Sequence, residues 1–304
     1  MLNTTDVRLL KDQDIPSCDG VIGGPPCQAW SEGGKQLGFE DPRGQLFLEY
    51  VRIVNLKKPK FFVIENVQGI LEDKHKQSLA FIIKSLQSIG YSINYKLLNA
   101  ADFRIPQDRF RVFFVGIRND LKNTFTFPFT IMDKKVTLKE AIGDIIENPR
   151  FFNEEMVMSE HPTRRNHDVY TGSYDAKYMA RNRVRSWNEQ SFTIQAQARN
   201  EPQHPQAPKM TYISPDVRIF AKGYEQLYRR LSVRECARIQ SFPDSFVFIY
   251  TDIKDGYKMV GNAVPPRLAY ALALQVRKSH IFIKIPKRKF YQFVFQSDIN
   301  KQYD

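Results

Sequence analysis

Two short loops in this 304-residue chain carry side chains suited to covalent chemistry. Gly23-Gly24-Pro25-Pro26-Cys27-Gln28 follows an apolar run at 20–23, and Glu65-Asn66-Val67 follows another at 60–64. A thiolate is a strong nucleophile; prolines ahead of Cys27 would hold it in a rigid loop, and a helix start near Gln28 would favour its charged form. Glu65, at the end of an apolar strand, is placed to act as an acid, because a dry setting raises a carboxyl group's affinity for its proton. Together the two suit addition of sulfur to a weak electrophile that a proton activates. Taken singly, each has a plainer reading, as a small core residue and as a helix-capping or ion-paired carboxylate. Cys18 and Cys236 lack such a context and read as core. The three cysteines form no CxxC pair and no histidine doublet accompanies them, so neither a disulfide framework nor a metal site is expected.

These loops need a scaffold, and the first 120 residues provide its pattern. Apolar runs alternate with amphipathic stretches, as in βαβ units around a mainly parallel sheet. Strands are expected at 20–23, 60–64, 91–98 and 109–117. Leu46, Phe47, Tyr50, Val51 and Val54 fall at helical spacing, as do Leu79, Ile82, Ile83, Leu86 and Ile89, with Gly90 as a stop. In open α/β sheets the reactive groups sit in loops at the carboxyl ends of strands, where both candidate loops lie. From about 119 to 228 the pattern loosens into proline-, glycine- and arginine-rich sequence with no clear period, which reads as a second lobe. Helical character returns at 232–240, where Ser232 and Glu235 have the spacing of a capping box, and a last helix is expected over 266–276.

Charge separates these regions. Of the net +12, residues 161–240 supply 14 Lys and Arg against 7 Asp and Glu, and residues 277–304 supply 7 against 2. A neutral body with a basic lobe and tail suits a polyanion, since neutralising phosphates supplies most non-specific affinity for nucleic acid; the plainer reading is a solubilising surface. No long uncharged apolar run and no basic-then-apolar amino terminus appear, so a cytoplasmic protein with no membrane segment is expected.

In order along residues 6–276, the motifs Pro26-Cys27-Gln28, Glu65-Asn66-Val67, Gln107-Asp108-Arg109-Phe110-Arg111, the Arg230–Pro243 block and Gly261-Asn262-Ala263-Val264 resemble those of the cytosine-C5 DNA methyltransferases. The resemblance implies a Rossmann-like S-adenosylmethionine-dependent α/β fold with a smaller DNA-recognition lobe. It implies methyl transfer from S-adenosylmethionine to C5 of cytosine in double-stranded DNA, as in restriction-modification systems. Cys27 would attack C6, Glu65 would engage N3 and the exocyclic amine, Arg111 would hold the base and Arg109 would support the site. Asp6, Val7, Pro26, Leu46, Asn262 and Ala263 match cofactor-side positions. The family's Phe-x-Gly-x-Gly strand and loop has no counterpart after Met1, so an amino-terminal truncation of about one βαβ unit is expected. Segments 1–118 and 231–276 are then catalytic, 119–230 recognises the target, and 277–304 is a basic tail.

A base inside a duplex cannot reach Cys27, so the target must be flipped out and its neighbours read by the second lobe. Arg181, Arg183 and Arg185 alternate along Arg181–Arg185, and an extended segment would turn them to one side. Met179–Trp187, Phe192–Arg199, His204–Pro208 and Trp30–Gly34 resemble enzymes of the HaeIII type, which methylate the inner cytosine of GGCC. On that basis Arg181, Arg183 and Arg199 are expected to bind DNA, arginine being bidentate to guanine. One competing reading is a remnant or split half that binds DNA but stays inactive without a separate polypeptide carrying the cofactor loop. A second is the tRNA-modifying branch, which the long arginine-rich lobe disfavours because duplex RNA hides its major groove.

Overall fold

The computed structural model describes residues 5–25, 42–130, 134–145, 148–149 and 165–279, with backbone only at 42–45. By contact density the chain divides into two compact units. The first comprises 1–98, 110–128 and 272–304; the second comprises 99–109 and 129–271.

The first unit is built on a four-stranded sheet of order β1 (Gly20–Gly23), β2 (Phe61–Val67), β4 (Phe110–Arg118), β3 (Tyr91–Asn99). Strand β1 pairs parallel with β2, through α1 (Pro42–Lys57), as the alternating pattern predicts. Strand β4 runs antiparallel to β2, so the sheet is mixed. A parallel return needs a crossover of about a dozen residues or more, usually helical. The short link between β3 and β4 holds only a 3-10 turn, Ala100–Phe103. Burial follows the apolar runs: Phe62, Ile64, Val112 and Phe114 form one cluster with Phe47, Tyr50 and Val54 of α1 and with Ile82 and Leu86 of α2 (Lys76–Ser88). The buried Tyr50 hydroxyl lies 3.2 Å from the carbonyls of both Val21 and Val63, pinning α1 across the two strands. Gly90, with φ +96°, provides the left-handed turn after α2. Cys18, expected in the core, is exposed on the loop before β1, because the apolar run that must be buried begins only at Gly20.

The second unit contains α3 (Leu138–Ile142), α4 (Ala176–Met179), the hairpin β5–β6 (Thr211–Ser214, Val217–Ile219), α5 (Val233–Ile239), α6 (Ile253–Asn262) and the start of α7 (Pro266–Lys278). Its core joins Leu138, Ile142, Ile194, Leu231, Val233, Cys236, Ile239, Tyr257 and Val260. Residues 231–271 thus fall in the same unit as the stretch 129–230. Helix α5 opens on the expected capping box: the Glu235 amide donates to Ser232 Oγ at 3.1 Å and the Ser232 amide to Glu235 Oε2 at 2.7 Å. Helix α6 was not foreseen. No helix among the described residues is long and apolar enough to cross a membrane.

Candidate active site

Strands β2 and β4 bring Glu65 together with Arg111. In their register Glu65 faces Phe113 and Val67 faces Arg111, so Glu65 and Arg111 are diagonal neighbours on one face of the sheet. Arg111 Nε lies 2.9 Å from Glu65 Oε1, with the two side chains 18% and 22% exposed. That is a partly desolvated ion pair, better held than a surface pair but still open to a ligand. The loop after β1 passes over the same carboxylate. A Cβ added at Gly24 would stand 3.4 Å from Glu65 Oε2 and 3.5 Å from the Glu65 carbonyl, in van der Waals contact with both. The buried side chain of Asn66 donates from Nδ2 to the Pro25 carbonyl at 3.1 Å, while its Oδ1 accepts from the Val67 amide at 2.9 Å. The amide is therefore oriented by its own strand and ties down the loop that leads to Cys27. Pro26 and Cys27 themselves lie outside the described residues.

Arg109 is placed differently. It is 2% exposed and belongs to the second unit, where Nη1 donates to the Ile194 carbonyl at 3.1 Å and Nη2 to Gly261 at 2.8 Å and Ala263 at 3.3 Å. Its guanidinium is spent on backbone carbonyls. Gln107 and Gln240, both fully buried, join the same network through a 2.9 Å bond between their side chains. Sequence reasoning placed these glutamines inside motifs without giving them a role. A hydrogen bond spanning 133 residues leaves no periodic trace in sequence.

The cofactor-side candidates fall in both units. In the first, Asp6 caps a 3-10 turn, and its carboxylate accepts from the Arg8 amide at 2.9 Å and from Arg8 Nε at 3.0 Å. Val7 is buried, and Leu46 packs on the same apolar cluster. In the second, Asn262 is exposed at the end of α6 and Ala263 follows it. Within the first unit, a carboxylate held in place and two apolar side chains suit the hydroxyls and ring of an adenosyl group. Among the described residues no group of three potential metal-ligating side chains occurs.

The arginines of the second unit have unlike surroundings. Arg181 is exposed, and Arg199, 65% exposed, stands 3.8 Å from Asp175. Arg183 lies over the Tyr178 ring at 4.5 Å and donates to the carbonyls of Tyr178 at 3.0 Å and Lys177 at 3.4 Å. Burial pulls its guanidinium below the usual arginine range. Arg185 is held by Asp108 and Glu189 and lies over Phe192. Arg230 is buried against Tyr174 at 4.1 Å, with its donors on the carbonyls of Arg199, Gly172 and Ser173.

Comparison with known proteins gives the family and the fold. The family model for the C-5 cytosine-specific DNA methylases matches residues 1–278. The chain is 50% identical over 277 residues to the type II methyltransferase M.MthTI of Methanothermobacter thermautotrophicus, covering 91% of this chain and 84% of that one. It is 47% identical to M.FnuDI of Fusobacterium nucleatum, over 90% and 80% of the two chains. Among solved structures, a prophage-encoded DNA modification methyltransferase from E. coli superposes with a TM-score of 0.61 at 23% identity, over 90% of this chain and 84% of that one. The Dnmt2 methyltransferase of S. pombe gives 0.54 at 19% identity, over 90% and 83%. The α/β fold is thus that of the DNA methyltransferases, and the chain belongs to the C-5 cytosine-specific DNA methylase family.

Proposed function

We propose that this methyltransferase modifies the inner cytosine of GGCC in double-stranded DNA, as the methylase of a restriction-modification system in the cytoplasm. In this reading the Cys27 sulfur bonds to C6 of a flipped cytosine while Glu65 delivers a proton to N3. Electron density then reaches C5, where the methyl group is accepted, and loss of the C5 proton releases Cys27. S-adenosylmethionine, on which the family depends, supplies an electrophilic methyl group when bound. Asp6, Val7, Pro26, Leu46, Asn262 and Ala263 are the residues assigned to hold it.

The observation that carries the reading is the Glu65–Arg111 pair beneath the Gly24-Pro25 loop. A carboxyl group held by one oxygen keeps a fixed aim, and the loop two residues before Cys27 is tethered to the neighbouring Asn66. Arg111 then orients the acid and meets the base; Arg109 is assigned a supporting role. The stretch 119–230 is assigned target recognition, with Arg181, Arg183 and Arg199 reading guanines. Arg181 and Arg199 are exposed, and Arg183 is pre-oriented by Tyr178. The test is a duplex carrying 5-fluorocytosine in GGCC, incubated with the protein and S-adenosylmethionine. A covalent adduct is expected, lost in Cys27→Ala. An adduct that persists in that variant would end the assignment, and methylation of duplexes lacking GGCC would end the target.

A further inference from the structure

The C-terminal end of α6 is closed by side chains from distant parts of the sequence. A helix leaves the carbonyls of its last turn without intrahelical donors, and a buried carbonyl left unpaired is costly. Here Gln240 Nε2 donates to Val260 at 2.9 Å and lies 3.4 Å from the Ala263 carbonyl. Arg109 covers Gly261 and Ala263, and brings a positive charge to the end of the helix where the macrodipole favours it. The amide of Gln240 is itself oriented, because its Oε1 accepts from Gln107 Nε2 at 2.9 Å. Gln107 is oriented in turn, its Oε1 accepting from the Ile194 amide at 2.8 Å. The result is a lattice around residues 260–263 in which Val260 and Gly261 are buried, Ala263 is half-buried and the Asn262 side chain is exposed.

We infer that Gln240, with Gln107 and Arg109, is a positioning group that sets the backbone of Asn262 and Ala263 for the cofactor. The inference rests on the assignment of those two residues to cofactor binding. It separates Arg109 from Arg111: the first serves the cofactor side through backbone carbonyls, the second serves the acid. Gln240 touches neither cofactor nor base, and acts by holding the segment that meets the cofactor. Leucine at 240 keeps comparable bulk but leaves the Val260 carbonyl with only the Ala263 amide at 3.2 Å, so the helix end gains freedom that a bound ligand must remove.

Binding of S-adenosylhomocysteine to the full chain by calorimetry, and of a GGCC duplex by fluorescence anisotropy, separates the possibilities. Gln240→Leu is expected to weaken S-adenosylhomocysteine about tenfold, the worth of one or two hydrogen bonds, while duplex affinity is kept. The kinetic loss should fall on KM for S-adenosylmethionine rather than on kcat. Arg109→Lys, which keeps the charge but loses the fork, should act in the same direction. Should Gln240→Leu fail to fold, Arg109→Lys decides alone. Amide exchange in the wild-type protein tests the underlying assignment, since S-adenosylhomocysteine should slow exchange over 260–264. Absence of that protection would overturn the assignment and the inference together. Protection alongside wild-type cofactor affinity in the variants would overturn the positioning role alone.

Discussion

Glu65 and Arg111 illustrate how much of the chemistry rests on two side chains facing the same way. Because Arg111 Nε holds Glu65 Oε1 at 2.9 Å, the pair should behave as a unit. Glu65→Gln keeps the shape but removes the proton donor, and single-turnover methyl transfer should slow by about 10²–10⁴-fold. A loss below tenfold would remove Glu65 from the mechanism. Arg111→Lys retains the charge but not the planar fork, so the carboxyl group should be less well aimed and the rate should fall by about 10–10²-fold. The double variant should lose less than the product of the two single losses, since each alone already disables the pair. Strictly multiplicative losses would show that the two residues act independently.

Elements in the second unit carry two further expectations. Helix α6 ends against the backbone of Gln195 and Ala196, where a Cβ at Gly261 would collide with the Gln195 carbonyl. Gly261→Ala should therefore destabilise the fold by roughly 1–3 kcal/mol, read as a lowered denaturant midpoint, because neither backbone can yield without disturbing the core. At the start of α5, Glu235 is bound by both Arg229 nitrogens at 2.8 Å and faces His204 at 3.5 Å. Burial lowers the His204 pKa to about 4, against the opposing pull of Glu235. Arg229 and His204 bring Glu235 to about 2 in spite of its burial. The unfolded chain thus binds more protons than the folded one, His204 across about pH 6.5 to 4 and Glu235 across about 4.5 to 2. Stability should fall as pH drops through these windows. In His204→Gln the midpoint should depend less on pH between 6.5 and 4; an unchanged slope would exclude His204 as the titrating group.

Across the whole molecule, the excess of positive charge at 161–240 predicts salt-sensitive association with DNA. If about five to seven phosphates are neutralised, log Kd against log salt should have a magnitude of about 4 to 6, and a slope shallower than about 2 would contradict a phosphate-tracking surface. Specificity should divide among the arginines by their settings. Replacing Arg181 by Ala should cost about 1–3 kcal/mol at one base pair of GGCC and relax choice there. Equal losses on GGCC and scrambled duplexes would make it a phosphate contact instead. Arg185 and Arg230, already committed to protein partners, should weaken folding before they alter choice of sequence.

Some of this was legible without coordinates. Strands β1 and β2 and helices α1, α2 and α5 follow from local rules: strand runs, helical spacing and a capping box act over a few positions, and the structure agrees with them, although β2 runs on through Glu65-Asn66-Val67, which the sequence reads as a loop. Other features depend on residues far apart in the chain. Helix α6 is one of these: it carries Gly256 and Gly261, where packing against the Tyr250 ring and the Gln195 backbone leaves no room for a side chain. Alternation at Arg181–Arg185 puts three arginines on one side of an extended segment, yet Tyr178, Asp108 and Glu189 give Arg183 and Arg185 separate tasks. Arg109 and Arg111 are two positions apart in one motif, but the first turns onto the carbonyls of Gly261 and Ala263 and the second onto Glu65. Residue type and spacing determined which groups are available for chemistry. Only tertiary structure decided which partner each one meets, because a long-range hydrogen bond or ion pair is set by the packing of whole elements.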